Sequence, residues 1–319
     1  MPNPNWTEIL TTTLESRNKE FADNVSNSNA LLARLNQRGN VNPATGGNVI
    51  LEELEYAENS TFQWYTGYEL LNIDPSDVFT AAEYDWKQGN VNVSASGLEV
   101  EVQNSGKEQV IPLLEKRISN AKKTAANSTS TAVYSDGTGS AGKEIGGLQH
   151  LIADDPTTGT VGGIDRSVAA NAFWRNQTSG DATLTTSAHM RTEMQAMWLE
   201  TSRGKDVVDL IVADQLFYSL FWDSLTDIQR IASDKEATAG FESLKYVTAD
   251  VIYDGDSGIP TSHMYFLNTD YIYLRPSSRR NWVPQDKKSS VNQDAFIVPM
   301  VWAGNLTTSN SARQGIVWT

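Results

Sequence analysis

With 319 residues the chain can bury a sizeable core, and its length alone suggests about two domains. It has no cysteine, which excludes disulfide staples, thiolate zinc sites and cysteine nucleophiles, and its net charge of -14 argues against a protein whose main task is to hold DNA. Hydrophobic residues at 39% and charged residues at 20% are globular proportions; no run is long enough to span a membrane, and the opening MPNPNWTEIL lacks the basic and apolar parts of a signal peptide, so intracellular synthesis is expected.

Trp6 to Arg38 reads as a helix, with Ile9, Leu14, Phe21, Val25, Leu31, Leu32 and Leu35 on a loose helical period and Gly39 as its stop. The apolar stripe is thin, so the helix is expected to lie over a surface, such as another subunit's, and not to form a private core. Asn40 to Asn48, with Pro43, Gly46 and Gly47, is a loop. Between Leu51 and Ser96, the carboxylates of Glu52, Glu53, Glu55, Glu58, Glu69, Asp74, Asp77, Glu83 and Asp85 face a single Lys87. Aromatic and β-branched residues here predict a strand over Thr61 to Leu70, a turn at Asn72 to Asp77, and a return from Phe79 to Trp86 that continues through Val91 to Ser94. This acidic hairpin carries Phe62, Trp64, Tyr65, Tyr68, Phe79, Tyr84 and Trp86, and since an isolated hairpin is marginal in water it must lean on something else.

Asn104 to Asn127 turns helical, with Ile111, Leu114, Ile118, Ala121 and Ala125 on one face, and Pro112 marks either a kink or the first turn. Ser128 to Gly147 reads as loop, and Leu148 to Gln177 as ordered loop with short strands. Thr185 or Thr186 caps a helix that runs to about Arg203 and buries Met190, Met194, Met197 and Trp198. Val207 to Ala213 is a strand, after which Asp214 caps a helix with Leu216, Phe217, Leu220, Phe221 and Leu225. Further strands are predicted at Leu244 to Tyr253, His263 to Leu267, Tyr271 to Leu274, Ala295 to Trp302 and Gly315 to Trp318. The whole is an α+β chain.

Three patterns could carry chemistry, and each has a simpler reading. Gly137 to Glu144 fits a phosphate loop except at its last position, where Glu144 stands in place of the magnesium-binding hydroxyl, so a surface turn is preferred. Gly255-Asp256-Ser257-Gly258, with His189 and Asp209 upstream, has the order of a serine-protease triad, but a helix, strand, helix unit fills the interval and Ile259 follows; a turn is preferred. Asp154 with Asp155, or Asp254 with Asp256, could offer oxygens to calcium, yet neither has the spacing of a hand-type loop. No catalytic, cofactor or metal residue is therefore assigned. The basic run Arg275, Arg279, Arg280, Lys287 and Lys288 suits contact with the acidic hairpin of another subunit or with nucleic acid.

The order of parts resembles the major capsid protein of tailed bacteriophages. The strings Ile50-Leu51-Glu52-Glu53-Leu54-Glu55-Tyr56-Ala57-Glu58-Asn59-Ser60-Thr61, Phe79-Thr80-Ala81-Ala82-Glu83-Tyr84-Asp85-Trp86-Lys87-Gln88, Ala153-Asp154-Asp155-Pro156 through Arg166, and Phe173-Trp174-Arg175-Asn176 carry the likeness. It implies the phage major capsid fold: an N-terminal arm (1–45), an extended hairpin loop (46–98), a peripheral domain (99–205, completed by about 279–319) with a spine helix near 104–127, and an axial domain (206–278). The implied function is structural and not enzymatic: a self-assembling subunit forming pentamers and hexamers of an icosahedral virion capsid around DNA, made in the host bacterial cytoplasm. Implied partners are further copies of itself, a separate scaffold protein, a portal and weakly held packaged DNA, with no membrane and no cofactor. The Lys and Asn cross-link known in some members is not carried over to Lys87. Two alternatives stand beside this reading: a hydrolase using Ser257, His189 and Asp209, or a protein that decorates a capsid.

Overall fold

The computed structural model of the chain describes residues 29–99, 113–181, 183–225, 243–254, 258–286, 288–289 and 293–319. Its first half runs α1 (Ala30–Arg38), β1 (Ile50–Glu55), β2 (Phe79–Tyr84), β3 (Lys87–Ser96), the long α2 (Leu113–Val133), β4 (Thr160–Val161), β5 (Ile164–Asp165) and β6 (Gln177–Gly180). The expected helix, strand, helix unit follows as α3 (Ser187–Thr201), β7 (Leu210–Ala213) and α4 (Gln215–Ser224). Then come β8 (Ser243–Tyr246), β9 (Ala249–Tyr253), β10 (His263–Leu267), β11 (Ile272–Pro284), β12 (Lys288–Ser289), β13 (Ala295–Thr308) and β14 (Gly315–Trp318). The protein is α+β, as the sequence predicts. No helix among the described residues is long and apolar enough to cross a membrane.

The larger sheet has the order β6-β14-β10-β7-β9-β8, with β6/β14 and β7/β9 parallel and the other pairs antiparallel. Because side chains alternate across a strand, one face presents Ile211, Val251, Phe266 and Val317 to Met190, Met194 and Met197 of α3 and Phe217 and Phe221 of α4. The other face presents Val212, Ile252, Tyr265 and Ile316 to a second core shared with Leu31, Leu35, Ile50, Leu54, Tyr134 and Trp174. The two helices begin where their caps demand: the Thr186 side chain accepts from His189 N and the Asp214 side chain from Phe217 N. The smaller sheet places β13 between β11 and β3, with β12 also on β13. Ala121 of α2 packs with Val93, Val298 and Met300 beneath it, and Ile118 is partly buried beside them.

Several expectations need correction. The helix ending at Arg38 does not lie over a foreign surface where it is described, because Ala30, Leu31 and Leu35 are fully buried in the chain's own core. Burial of each leucine contributes about 1.5–3 kcal/mol, which compensates for the thin stripe. The start of the predicted helix, Trp6 to residue 28, lies outside the described residues. No strand forms over Thr61 to Leu70; the partner of Phe79–Tyr84 is Ile50–Glu55, in antiparallel register from Ile50↔Tyr84 to Glu55↔Phe79. The returning chain changes sheet, since Lys87–Ser96 pairs with β13. α2 continues to Val133 where loop was expected after Asn127, and 104–112 lies outside the described residues. Leu244 to Tyr253 is a hairpin and not one strand, turned at Val247 with φ 52°. Among the closing strands, β14 enters the larger sheet between β6 and β10 and does not join β11 and β13. α3 packs beside α4 over one face of the larger sheet, in contact with β14.

Candidate functional site

The most conspicuous unsatisfied surface is the segment between β1 and β2. Along β1 burial alternates, with Ile50, Glu52 and Leu54 turned inward and Leu51, Glu53 and Glu55 outward. The inward Glu52 is held by Arg275, whose Nε and Nη2 donate to Oε1 and Oε2 at 2.7 and 2.9 Å, and by Thr307 Oγ1 at 2.8 Å. Glu52 in turn raises the Arg275 guanidinium above its ordinary value. On β2, Tyr84 donates its hydroxyl hydrogen to Thr308 O at 3.0 Å while the same oxygen accepts from Thr308 N, and burial pushes its ionisation up. The turn joining β4 and β5 clamps the pair: Glu83 N donates to Gly162 O at 2.8 Å. Gly162 has φ +58°, and a Cβ there would stand 2.7 Å from that of Ala82, so no side chain fits.

Above this stalk the chain leaves the body. Tyr56 N still bonds Val78 O at 3.0 Å, and the Tyr56 ring lies 5.2 Å from that of Phe173. Beyond them the hydrogen bonds are local, as from Gln63 Nε2 to Leu70 O and from Thr66 N to Glu69 Oε2. Phe62, Trp64, Tyr65, Tyr68, Leu70 and Ile73 are exposed, with Trp64 at 90% and Ile73 at 91% of full accessibility. Scattered apolar residues are ordinary on a surface, but these six large exposed ones between Phe62 and Ile73 of a single loop are a concentration of the kind that marks interaction sites. Apart from Glu52, the acidic residues of the hairpin, Glu53, Glu55, Glu58, Glu69, Asp74, Asp77, Glu83 and Asp85, are all exposed.

The basic run is thus divided. Arg275 is engaged within its own chain, which corrects the expectation that it waits for a neighbour's hairpin, whereas Arg279, Arg280 and Lys288 are exposed on β11 and β12. Lys287 lies outside the described residues. On α2, Arg117 is likewise bound internally, with Nη2 2.7 Å from Glu99 Oε1.

At the foot of the stalk lies a cleft of about 630 Å³ lined by Glu83, Asp85, Lys87, Asp136, Glu144 and His150. The segment resembling a phosphate loop forms part of its wall as a tight turn, with Ser140 and Ala141 at φ 52° and 60°; Lys87 Nζ bonds Gly142 O at 2.7 Å instead of presenting itself to a ligand. Burial lowers the proton affinity of His150, and the nearby Arg166 and Lys87 lower it further.

The triad candidates are committed elsewhere. His189 Nε2 lies 3.0 Å from Asp181 Oδ2 and 3.7 Å from Glu193 Oε1. Asp209 accepts from Thr269 N and Oγ1, both at 2.7 Å, and pairs with Arg34 and Arg38. Ser257 lies outside the described residues, as does Asp256. Asp254 caps α1 by accepting from Ala30 N at 2.9 Å and also accepts from Tyr134 Oη at 2.6 Å. Asp154 faces His263 at 3.3 Å, while Asp155 closes a turn with Thr157. Among the described residues, Asp181, His189 and Glu193 are the group whose donor atoms could converge on one metal ion. None of the three is assigned as a metal ligand from the sequence; the four-residue spacing of His189 and Glu193 on a predicted helix was a signal left unused, and Asp181, at the end of a strand, gave none.

No family profile and no curated protein matches the sequence. The fold, however, is that of tailed-phage capsid subunits and encapsulins. The capsid subunit of cyanophage A-1(L) superposes with a TM-score of 0.63 at 16% identity, covering 100% of this chain and 99% of that one. That of Myoviridae phage XM1 gives 0.58 at 10% identity over 95% and 97%. The SrpI encapsulin of Synechococcus elongatus PCC 7942 gives 0.55 at 7% identity over 100% and 96%.

Proposed function

We propose that the chain is the repeating subunit of an icosahedral bacteriophage head, assembling as pentamers and hexamers around the genome and acting structurally, without a catalytic step. The observation that carries this is the loop from residue 57 to 77, which holds a run of aromatic and aliphatic side chains in solvent on an anchored two-stranded stalk. Such a loop is stable only when a neighbour covers it, and permanent interfaces of this kind bury roughly 2,000–5,000 Å². Full-length likeness of fold to capsid subunits supports the same reading. A separate scaffold, a portal, weak contact with packaged DNA, synthesis in the bacterial cytoplasm and residence in the virion belong to it as further proposals. So does the division into arm, extended loop, peripheral and axial parts; the packing of α3 and β14 favours counting both with the axial part.

The test is expression of the full chain followed by size-exclusion chromatography and negative-stain microscopy, beside a variant in which Ala57 to Asp77 is replaced by a short Gly-Ser turn. Closed particles or capsomers from the first and a folded lobe without particles from the second are expected. Closed particles from both would overturn the role of the loop. A monomer that binds only preformed shells would mark the capsid-decorating alternative, and a hydrolytic activity lost in Ser257→Ala the enzymatic one. Particles that shelter protein and never nuclease-resistant DNA would point to a compartment in place of a phage head.

A further inference from the structure

We propose that Asp181, His189 and Glu193 form a three-ligand site for one divalent transition-metal cation of the zinc class. His189 and Glu193 stand one turn apart on α3, which puts them on the same face of the helix, and Asp181 directly follows the edge strand β6. The donor atoms of all three lie within 4.8 Å of one another, with His189 Nε2 3.0 Å from Asp181 Oδ2 and 3.7 Å from Glu193 Oε1. Ligands about 2.0–2.1 Å from a tetrahedral ion are about 3.4 Å apart, so small rotations about the side-chain bonds bring these donors to bonding geometry.

The oxygens turned away from the histidine are already fixed. Asp181 Oδ1 accepts from Thr183 N and Oγ1, both at 2.7 Å, and Glu193 Oε2 accepts from Ser179 Oγ at 2.7 Å. Each carboxylate therefore offers its remaining oxygen to a common point, which is how outer hydrogen bonds orient metal ligands. The imidazole in the set selects transition ions over magnesium or calcium, which take oxygen donors. All three side chains are partly exposed, so a cation has access and water can complete the coordination. Two carboxylates and a neutral imidazole balance a divalent charge. A bound ion ties the edge strand β6 to α3 and stabilises the larger sheet by mass action.

Calorimetric titration of the full chain with Zn2+, together with the visible spectrum of the Co2+ form, tests the site. One equivalent per chain, a raised thermal midpoint and tetrahedral Co2+ bands are expected, with affinity falling about tenfold or more in His189→Ala and in Asp181→Asn. Absence of saturable binding, or unchanged affinity in His189→Ala, would overturn the proposal. Should His189→Ala lose its helical circular dichroism, Glu193→Gln gives the same readout while keeping the polar contact with Ser179.

Discussion

Arg275 on β11 grips Glu52 on β1 through two parallel hydrogen bonds of 2.7 and 2.9 Å, joining residues 223 positions apart at the root of the extended loop. Glu52 is almost wholly buried, and its one other partner in the bonds described above is the Thr307 hydroxyl. Removing the guanidinium leaves a carboxylate stranded in a low dielectric. Arg275→Met is therefore expected to lower unfolding free energy by about 3–5 kcal/mol. Adding Glu52→Gln should recover part of the loss, and strictly additive effects in a denaturant double-mutant cycle would contradict the coupling.

A second buried pair secures α1. Arg34 Nη2 lies 2.8 Å from Asp250 Oδ2 and donates to Asp209 O at 2.8 Å, while Arg38, with 37% of its side chain accessible, reaches Asp209 Oδ2 at 3.0 Å. Arg34→Met should cost about 3 kcal/mol or more and Arg38→Ala only about 0.2–1 kcal/mol, because solvent screens the outer arginine. Urea unfolding measures both; equal costs would refute the ranking. Limited proteolysis should release the segment preceding α1 sooner in Arg34→Met.

The loop's apolar residues are expected to matter only in the assembly. Trp64→Ser with Tyr68→Ser should change the stability of the unassembled chain by no more than about 0.5 kcal/mol while reducing particle yield. Arg279→Glu with Arg280→Glu should weaken assembly more at low salt than at high salt, since exposed charges are screened. Light scattering across a salt series reads both. A salt-independent defect would remove the arginines from the interface.

Stability should also depend on pH through His150. Its folded proton affinity is depressed below the ordinary value of 6.5, chiefly by burial, so the unfolded chain takes up a proton first as pH falls. Both states hold it neutral well above that value, and stability is therefore lost on acidification from about pH 7 downwards. His150→Gln should flatten this part of the profile in chemical denaturation, and an unchanged slope would assign it to other groups.

What the sequence reveals and what it hides follows from the range of the interactions. The starts of α3 and α4 were readable because Thr186 and Asp214 cap amides three residues away. β1 was not, because one of its three inward residues is a glutamate whose burial depends on Arg275, far along the chain. The Ser and Thr residues after Asn127 suggested a loop, yet Thr129 bonds back to Ala125 O at 2.8 Å and Val133 and Tyr134 fix the helix end in the core. The turn at Val247 carries none of the Gly or Asn signals of a tight hairpin. The cluster of Asp181, His189 and Glu193 was not read from the sequence: two of its members share a helix, but Asp181 joins them only by tertiary structure.

The position of β14 bears on timing. It lies between β6 and β10, pairing Gly315 with Gln177, 138 residues earlier (315 − 177), so the larger sheet remains split until residue 318 has been made. A nascent chain short of that point exposes two unpaired edges and has no finished lobe, and so distant a closure is intrinsically slow. Without β14, β6 has no partner in the sheet and β10 keeps an open edge, so the lobe closes only through this long-range pairing.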